Sequence, residues 1–413
     1  MADLGYVKTL RCRECGRELP PIMAYACDEC FGPLDVLYDY ESIELRRDSF
    51  RERPKTVWRY WELLPVSDAT KVIDLGAGYT PLRKCGRLGE FFRLKNLYVK
   101  DDTVNPTGSF KDRPATVAVS KALEFGAKAV GCASTGNLAA AMAAHAAKAG
   151  LPCYIFAPAG IEINKIVQAT AYGATIISVK GTYDDANRLA AQAADAYGLA
   201  LANINIRPYY VEGSKTIAFE TCEQLGWKPP DHVIIPVGSG ALLCAVQKGF
   251  EELRKLGLME SSEIRLTGAQ PEGCSPVVKA FKSGTEDVHP VEMPRTLAKS
   301  LAIGDPGDGV YAVRRIKESG GVAESVSDEE ILEGIKLLAK TEGIFSEPAG
   351  GVTIAVLKKL LEAGDILKDE IIVCFVTGNG LKTAETLLNS IQKPIEVEPT
   401  LGSLSKALAF KVI

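Results

Sequence analysis

Residues 105–113 read Asn-Pro-Thr-Gly-Ser-Phe-Lys-Asp-Arg, and they are the most informative stretch for the fold class. A short apolar run, 97–100, precedes them, and a segment with a 3.6-residue apolar period, 112–126, overlaps their end. This pattern predicts a strand, a turn and a helix, with Lys111 at the turn. A lysine there is either an ordinary surface residue or an amine in a cleft, where partial desolvation lowers its pKa and lets it form an imine with an aldehyde.

Strand–turn–helix units of this kind recur along the 413 residues. Further strands are predicted at 129–133, 153–157, 175–179, 232–237, 264–269 and 371–376, and further helices at 137–150, 183–197, 214–225, 241–256, 328–341 and 352–363. Strands that alternate with helices predict an α/β protein with parallel sheets. Such sheets bind ligands at the carboxyl ends of their strands, so the turns there are candidate sites.

The turn at residues 133–137 reads Ala-Ser-Thr-Gly-Asn. Hydroxyl and backbone N–H donors at a helix N-terminus bind anions such as a substrate carboxylate, which makes Ser134, Thr135 and Gly136 candidates. The Asn137 amide is a donor for a phenolic oxygen. The alternative is a plain helix cap.

Two later turns are rich in glycine. Residues 236–242 read Pro-Val-Gly-Ser-Gly-Ala-Leu, which suits a phosphate held by backbone amides at a helix N-terminus. The glycine spacing does not match a dinucleotide-binding fingerprint. Residues 376–382 read Val-Thr-Gly-Asn-Gly-Leu-Lys, where Thr377 is able to hydrogen-bond a pyridine nitrogen without protonating it. The alternative for that turn is a tight connection that closes the sheet.

Two Cys-x-x-Cys pairs lie in the first forty residues, and each resembles a knuckle of a zinc ribbon. The segment is too small to bury a core, so a metal would supply folding energy. We predict one structural zinc ion, and the alternatives are a knuckle without metal or cysteines that only pack. The candidate ligands are Cys12, Cys15, Cys27 and Cys30.

Composition narrows the classes of function. The formal net charge is −4 and basic clusters are lacking, which disfavours nucleic-acid binding. The N-terminus has no signal-peptide pattern and no apolar run is long enough to span a bilayer, so we expect a cytoplasmic protein with free thiols and no membrane partner.

The four turns, in this order, resemble those of the fold-type-II enzymes that depend on pyridoxal 5′-phosphate (PLP), and within them the threonine synthases. The most specific match is the lysine motif at 105–113. The likeness covers roughly residues 70–390, and further matching segments lie at 75–82, 133–137, 302–306, 342–348 and 377–382.

The resemblance implies a tryptophan-synthase-β-like fold of two open α/β domains with a cofactor cleft, and a homodimer that acts on a small amino acid. The implied reaction converts O-phospho-L-homoserine and water into L-threonine and phosphate. Lys111 would be catalytic and bind PLP as an imine, Asn137 would bond its O3′ and Thr377 would face its ring nitrogen. The cofactor phosphate would be held by Gly238, Ser239, Gly240, Ala241 and Leu242, and the substrate carboxylate by Ser134, Thr135 and Gly136.

One position departs from the family pattern. The arginine expected to hold the substrate phosphate is Tyr210, and we expect Arg207, Lys215 or Arg113 to replace it. The departure keeps alternatives open: a β-replacement enzyme on phosphoserine, similar to cysteate synthase, or a serine/threonine deaminase. A non-catalytic protein with the same fold is disfavoured by the joint presence of Lys111, Asn137 and Thr377.

These observations predict three parts of the chain. Residues 1–45 form a zinc-ribbon-like segment, 46–111 and 206–413 form a large PLP-binding domain, and 112–205 form a small inserted domain. Because the cysteine pairs lie in a separate segment, we expect PLP binding not to depend on them.

Overall fold

The computed structural model describes residues 5–160, 166–388 and 394–408. Thirteen strands lie in these ranges: β1 (Val7–Cys12), β2 (Glu18–Leu19), β3 (Leu34–Tyr38), β4 (Leu82–Lys84), β5 (Leu97–Asp101), β6 (Val130–Cys132), β7 (Cys153–Pro158), β8 (Thr175–Val179), β9 (Ala200–Leu201), β10 (His232–Pro236), β11 (Arg265–Pro271), β12 (Ala323–Val326) and β13 (Ile372–Val376).

Thirteen α-helices accompany them in the described ranges: α1 (Arg87–Phe92), α2 (Asp112–Glu124), α3 (Asn137–Ala149), α4 (Val167–Ala171), α5 (Tyr183–Tyr197), α6 (Arg207–Ser214), α7 (Thr216–Gln224), α8 (Ala241–Lys255), α9 (Pro276–Lys282), α10 (Gly309–Glu318), α11 (Asp328–Glu342), α12 (Pro348–Ala363) and α13 (Leu401–Leu408). Within the same part of the chain, no helix combines the length and the apolar character needed to cross a membrane.

The strands form three sheets. The largest has the order β12-β11-β10-β13-β5-β4, with all neighbours parallel except the edge strand β4. A parallel sheet of four strands has the order β8-β7-β6-β9. The N-terminal sheet is antiparallel, with β1 between β2 and β3. This α/β architecture confirms the predicted fold class.

The centre of the large sheet is apolar because helices cover it on both faces. Every residue of β10 and β13 is buried. Helix α12 packs against both strands, and its first ten residues from Pro348 are buried. The carboxyl ends of β5, β10 and β13 therefore meet at one edge of a rigid sheet, and three of the candidate turns follow these ends.

The seven predicted strands are all present within about two residues of their predicted ends. The predicted helix 214–225 corresponds to α7, which begins at Thr216 after Lys215, whereas the preceding helix α6, from Arg207, was not predicted. The helix predicted at 352–363 begins at Pro348, where proline suits a first turn. We did not predict α10, β12 or the N-terminal sheet.

The four-stranded sheet lies wholly within residues 112–205, and the six-stranded sheet draws its strands from outside that range. Helix α2, at the start of the range, packs against both α6 and α3. It thus joins the two sheets instead of belonging clearly to one. The domain bounds stay a prediction.

Candidate active site

The turn at residues 105–113 (the lysine turn) and the turn at residues 376–382 (the closing turn) are joined by backbone hydrogen bonds. The Phe110 amide donates to the Thr377 carbonyl at 2.9 Å, and the Asn379 amide donates to the Gly108 carbonyl at 2.8 Å. These turns follow β5 and β13, which are parallel neighbours, so their carboxyl ends lie side by side. Lys111 and Thr377, which are far apart in sequence, are thereby held at the same edge of the sheet.

Lys111 stands at the start of α2 and is half-buried. Its Nζ donates a hydrogen bond of 3.1 Å to the Tyr210 hydroxyl and lies 4.6 Å from the centroid of the Phe110 ring. Two aromatic side chains therefore border the amine and leave part of it accessible, which suits an amine that reacts with a bound ligand.

Asn137 begins α3, and its Nδ2 donates to Oε2 of Glu347 at 2.8 Å. The Glu347 side chain is buried, and burial raises its pKa to about 7, although the Asn137 hydrogen bond and the Lys382 charge act to lower it. A Cβ on Gly378 would lie 1.9 Å from Oε2 of Glu347, so a larger residue there would have to displace the Glu347 carboxylate. The Asn137–Glu347 hydrogen bond, together with the close approach of Glu347 to Gly378, places the turn at residues 133–137 beside the closing turn.

Lys382 connects several segments at the edge of the same site. Its Nζ donates to the Thr107 carbonyl at 2.8 Å and to Oε1 of Gln168 at 2.5 Å. Burial lowers the pKa of Lys382, against the charges of Glu347 and Asp112. The ammonium thus links the lysine turn, the closing turn and α4.

The glycine turn between β10 and α8 has the geometry of an anion cradle. Gly240 has φ +92°, and a Cβ there would lie 2.6 Å from the Asp308 carbonyl oxygen. A Cβ on Gly238 would lie 3.2 Å from the Ser300 carbonyl oxygen. Small residues are required because neighbouring backbone encloses the turn. The backbone amides at the start of α8 are then placed to attract an anion, and the helix dipole adds to this attraction.

Ser134, Thr135 and Gly136 precede α3 and are half-buried, whereas β6 before them is fully buried. Gly136 has φ +66°, and the Ser134 hydroxyl donates to the Thr135 carbonyl at 3.4 Å. Their exposure leaves the hydroxyls and amides open to a ligand. Thr377 is almost fully buried at the neighbouring turn.

The three cations expected near the substrate phosphate differ in environment, and two of them are fully buried in ion pairs, which disfavours the expected role. The Arg113 guanidinium is fully buried and paired with Asp102 and Glu220. The Lys215 ammonium is fully buried and donates to Glu212 at 2.6 Å and to Glu252 at 2.9 Å. Carboxylates already neutralise both cations, so neither has a donor free for a substrate.

Arg207 is the third of these cations. It begins α6, and its side chain is 20% exposed and pairs with Asp308. Of the three, it is the one that solvent, and therefore a ligand, can reach. Its role as a substrate contact stays a prediction.

The four predicted metal ligands come together at one place. Sγ atoms lie 3.4 Å apart for Cys12 and Cys30 and 3.7 Å apart for Cys15 and Cys27, and all four lie within 4.8 Å of one another. Tetrahedral zinc with Zn–S bonds of about 2.3 Å needs Sγ separations of about 3.8 Å. A disulfide would need about 2.05 Å. The donor set and its spacing fit a zinc ion.

Comparison with known proteins agrees with this arrangement. Residues 73–378 match the family model described as pyridoxal-phosphate dependent enzyme. The chain is 45% identical over 403 residues to a threonine synthase of Methanocaldococcus jannaschii, covering 96% of this chain and 98% of that one. The chain belongs to the threonine synthase family. Within that family, the threonine synthase of Methanosarcina acetivorans is 44% identical over 401 residues, 97% of this chain and 98% of its own.

Solved structures share the fold of the family. A processed threonine deaminase isoform 2 from Solanum lycopersicum superposes with a TM-score of 0.64 at 24% identity, over 76% of this chain and 88% of that one. Maize serine racemase superposes with a TM-score of 0.62 at 21% identity, over 80% and 91%. At these identities the likeness shows the fold alone, which is that of a fold-type-II PLP enzyme.

Sequence reasoning missed Glu347, Lys382 and Asp308 as parts of the site. Glu347 lies in the quoted segment 342–348 and Lys382 ends the quoted closing turn, so the family pattern marked both without giving either a role. Asp308 had no local signal, because its contacts with Arg13 and Arg207 join distant parts of the chain.

Proposed function

We propose that this enzyme converts O-phospho-L-homoserine and water into L-threonine and phosphate, with PLP as its cofactor. The observation that carries the proposal is the half-buried Lys111 amine, held by backbone hydrogen bonds beside Thr377 at the carboxyl edge of the large sheet. Its motif and the threonine synthase relatives at 44–45% identity over nearly the whole chain support the substrate.

The residues around Lys111 suit the parts of the cofactor. The cradle of Gly238, Ser239, Gly240, Ala241 and Leu242 suits its phosphate. Asn137 suits the O3′ oxygen, and Glu347 holds the Asn137 amide in place. Thr377 offers a neutral hydroxyl to the ring nitrogen, so that nothing at this position protonates the ring.

PLP, when bound, supplies an electron sink that stabilises negative charge at the substrate's α-carbon. The chain supplies the proton transfers and the binding. Lys111 would hold the cofactor covalently, and its amine, when free, would accept the proton from the substrate's α-carbon. The Tyr210 hydroxyl, 3.1 Å from Nζ, orients this amine. Ser134, Thr135 and Gly136 receive the substrate carboxylate at the N-terminus of α3.

For the substrate phosphate we propose Arg207, because a dianion needs charge-assisted donors. Arg207 lies one helical turn before Tyr210 on α6 and is partly exposed. The Tyr210 hydroxyl carries no positive charge, and Arg113 and Lys215 are fully buried with their carboxylate partners, whereas Arg207 pairs with Asp308 but remains partly exposed. Arg207 therefore has the position and the charge for this contact.

The proposal also includes a structural metal ion, the oligomeric state and the division into domains. We propose one structural zinc ion on Cys12, Cys15, Cys27 and Cys30, since four thiolates fill a tetrahedral site and leave no position for a substrate. We also propose a homodimer in the cytoplasm, with PLP between a small domain of 112–205 and a large domain of 46–111 and 206–413.

The deciding experiment is a substrate panel with PLP-saturated enzyme: phosphohomoserine, phosphoserine with sulfide, serine and threonine. We expect threonine and phosphate to form in equal amounts from phosphohomoserine, with much slower turnover of the others. No phosphate from phosphohomoserine together with replacement of the phosphoserine phosphate by sulfide would make this a β-replacement enzyme. Rapid release of ammonia from serine or threonine would make it a deaminase.

A further inference from the structure

Arg13 lies inside the first cysteine pair, between Cys12 and Cys15, but its side chain reaches into the large domain. It pairs with Asp35 on β3 through two hydrogen bonds of 2.9 and 2.7 Å, and its Nη1 donates to Oδ1 of Asp308 at 2.8 Å. The Asp308 side chain is only 1% exposed. The Arg13–Asp308 pair therefore joins the N-terminal segment that carries the four cysteines (the metal module) to a buried carboxylate 295 positions away in the chain.

Asp308 forms one wall of the candidate phosphate cradle. Its backbone amide donates to the Ser239 carbonyl at 2.9 Å. Its carbonyl oxygen lies where a Cβ of Gly240 would be, at 2.6 Å from that position. It also precedes α10, whose Ala312 amide donates to the Asp308 carbonyl at 2.9 Å. A shift of Asp308 therefore has to move Ser239 and Gly240, or break these contacts.

The same module makes a second contact with α10. Tyr311 donates a hydrogen bond from its hydroxyl to Glu14, and the Arg13 guanidinium lies 5.1 Å from the centroid of the Tyr311 ring. A cavity of about 280 Å³ lies beside this contact, bordered by Arg13, Asp308 and Tyr311 on one side and by Ala241 and Cys244 of α8 on another. At this place, polar contacts join the module to the cradle, in addition to the apolar core cluster that includes residues of both.

We propose that Arg13 is a positioning residue for the cofactor-phosphate cradle, acting through Asp308, and that metal on the four cysteines holds it in place. The proposal rests on the cradle and zinc assignments made under Proposed function. It replaces the expectation that PLP binding does not depend on the cysteines. Because binding energies are linked, zinc raises the affinity for PLP, and PLP raises the affinity for zinc by the same factor.

The competing possibility is that Arg207 alone holds Asp308, since it pairs with the other carboxylate oxygen. Asp308 would then keep its place without Arg13. The experiment must therefore separate an effect of Arg13 through Asp308 from a general loosening of the module. Arg17 provides the matched control: it is an arginine of the same module, 45% exposed, and it pairs locally with Asp28 and Glu29.

The test is a titration of zinc-loaded apoenzyme with PLP and, separately, with pyridoxal, which lacks the phosphate, followed by cofactor absorbance. We expect Arg13→Gln to raise the dissociation constant for PLP roughly tenfold. The constant for pyridoxal should stay within about twofold. Arg17→Gln should match the wild type with both ligands. Equal PLP constants in wild type and Arg13→Gln would overturn the proposal.

A double-mutant cycle tests the route through Asp308. Asp308→Asn keeps the backbone contacts and removes the carboxylate charge, so Arg13→Gln should add little in its presence. A full additional loss would mean that Arg13 acts by another route, and the proposal would be wrong. Zinc removal should weaken PLP binding by the wild type to the level of Arg13→Gln, and should change the variant little.

The wild-type data distinguish a failure of the cradle assignment from a failure of the role proposed for Arg13. A wild type that binds pyridoxal as tightly as PLP would contradict the cradle assignment itself. A wild type that prefers PLP, with the same preference in Arg13→Gln, would leave the proposed function intact and refute only the positioning role of Arg13.

Discussion

The Asn137 amide and the Glu347 carboxylate, 210 positions apart, meet in a hydrogen bond of 2.8 Å. Asn137 starts a helix beside the four-stranded sheet, and Glu347 caps α12 on the large sheet. The bond therefore crosses between the two sheets at the cleft. Because Glu347 is buried with a pKa raised to about 7, its charge, and with it the strength of this bond, changes near neutral pH.

This relationship predicts a pH dependence of stability. The pKa of Glu347 is higher in the folded chain than the ordinary value of 4.5, so the folded state binds an extra proton between about pH 4.5 and 7. The wild type should therefore gain stability relative to Glu347→Gln as the pH falls from 8 to 5. Thermal unfolding of the apoprotein at several pH values measures this, and Glu362→Gln, exposed on the same helix, is the control. An unchanged difference across this range would contradict the prediction.

Lys111→Ala should abolish both turnover and the yellow absorbance of the covalently bound cofactor. No other side chain of the lysine turn offers an amine at this position. Lys128→Ala, at an exposed position, should keep both properties. Wild-type turnover by the Lys111 variant would refute the whole assignment of the site.

Arg207→Ala should raise KM for phosphohomoserine at least about tenfold, because a charge-assisted contact with the phosphate is lost. The measurement is made at saturating PLP, since Arg207 also pairs with Asp308. Any slow reaction of serine, which has no phosphate, serves as the control and should keep its KM. Equal KM values for phosphohomoserine in variant and wild type would show that the phosphate is bound elsewhere.

Lys215→Ala should act on stability instead of substrate affinity. Removing this buried cation leaves Lys248 as the remaining cation beside the buried carboxylates of Glu212 and Glu252, which costs roughly 3 kcal/mol. We expect a lower midpoint of urea unfolding and, in enzyme that remains folded, a normal KM for phosphohomoserine. A large rise in KM with unchanged stability would restore Lys215 as a substrate contact.

Elemental analysis of protein purified without chelators should find about one zinc ion per chain. Cys30→Ser should lower the zinc content, because it removes one of four clustered thiolates. Cys85→Ser, outside the cluster, should leave it unchanged. Full-length protein that folds without metal would indicate that the cysteines only pack against one another.

Local patterns were sufficient wherever a feature depends on neighbours in sequence. The strand–turn–helix around Lys111 follows from an apolar run, a Pro-Thr-Gly turn and a helical period, and its family resemblance then implied the cofactor. The cysteine cluster likewise follows from two short pairs, although the sequence did not predict that Arg13 between them reaches Asp308. Short elements such as β12, with four residues, had too little periodicity to be recognised.

The sequence by itself determined the α/β class, the lysine turn, the glycine cradle and the four cysteines, because each is a run of residues whose chemistry is local. The tertiary structure decided which charges are free. Arg113 and Lys215 looked like candidates for the substrate phosphate, but both are fully buried with carboxylates that include the distant Glu220 and Glu252, and Arg207 is the one left partly exposed. The charge of a side chain follows from the sequence alone. Whether that charge can contact a ligand depends on partners that only packing brings within hydrogen-bonding distance.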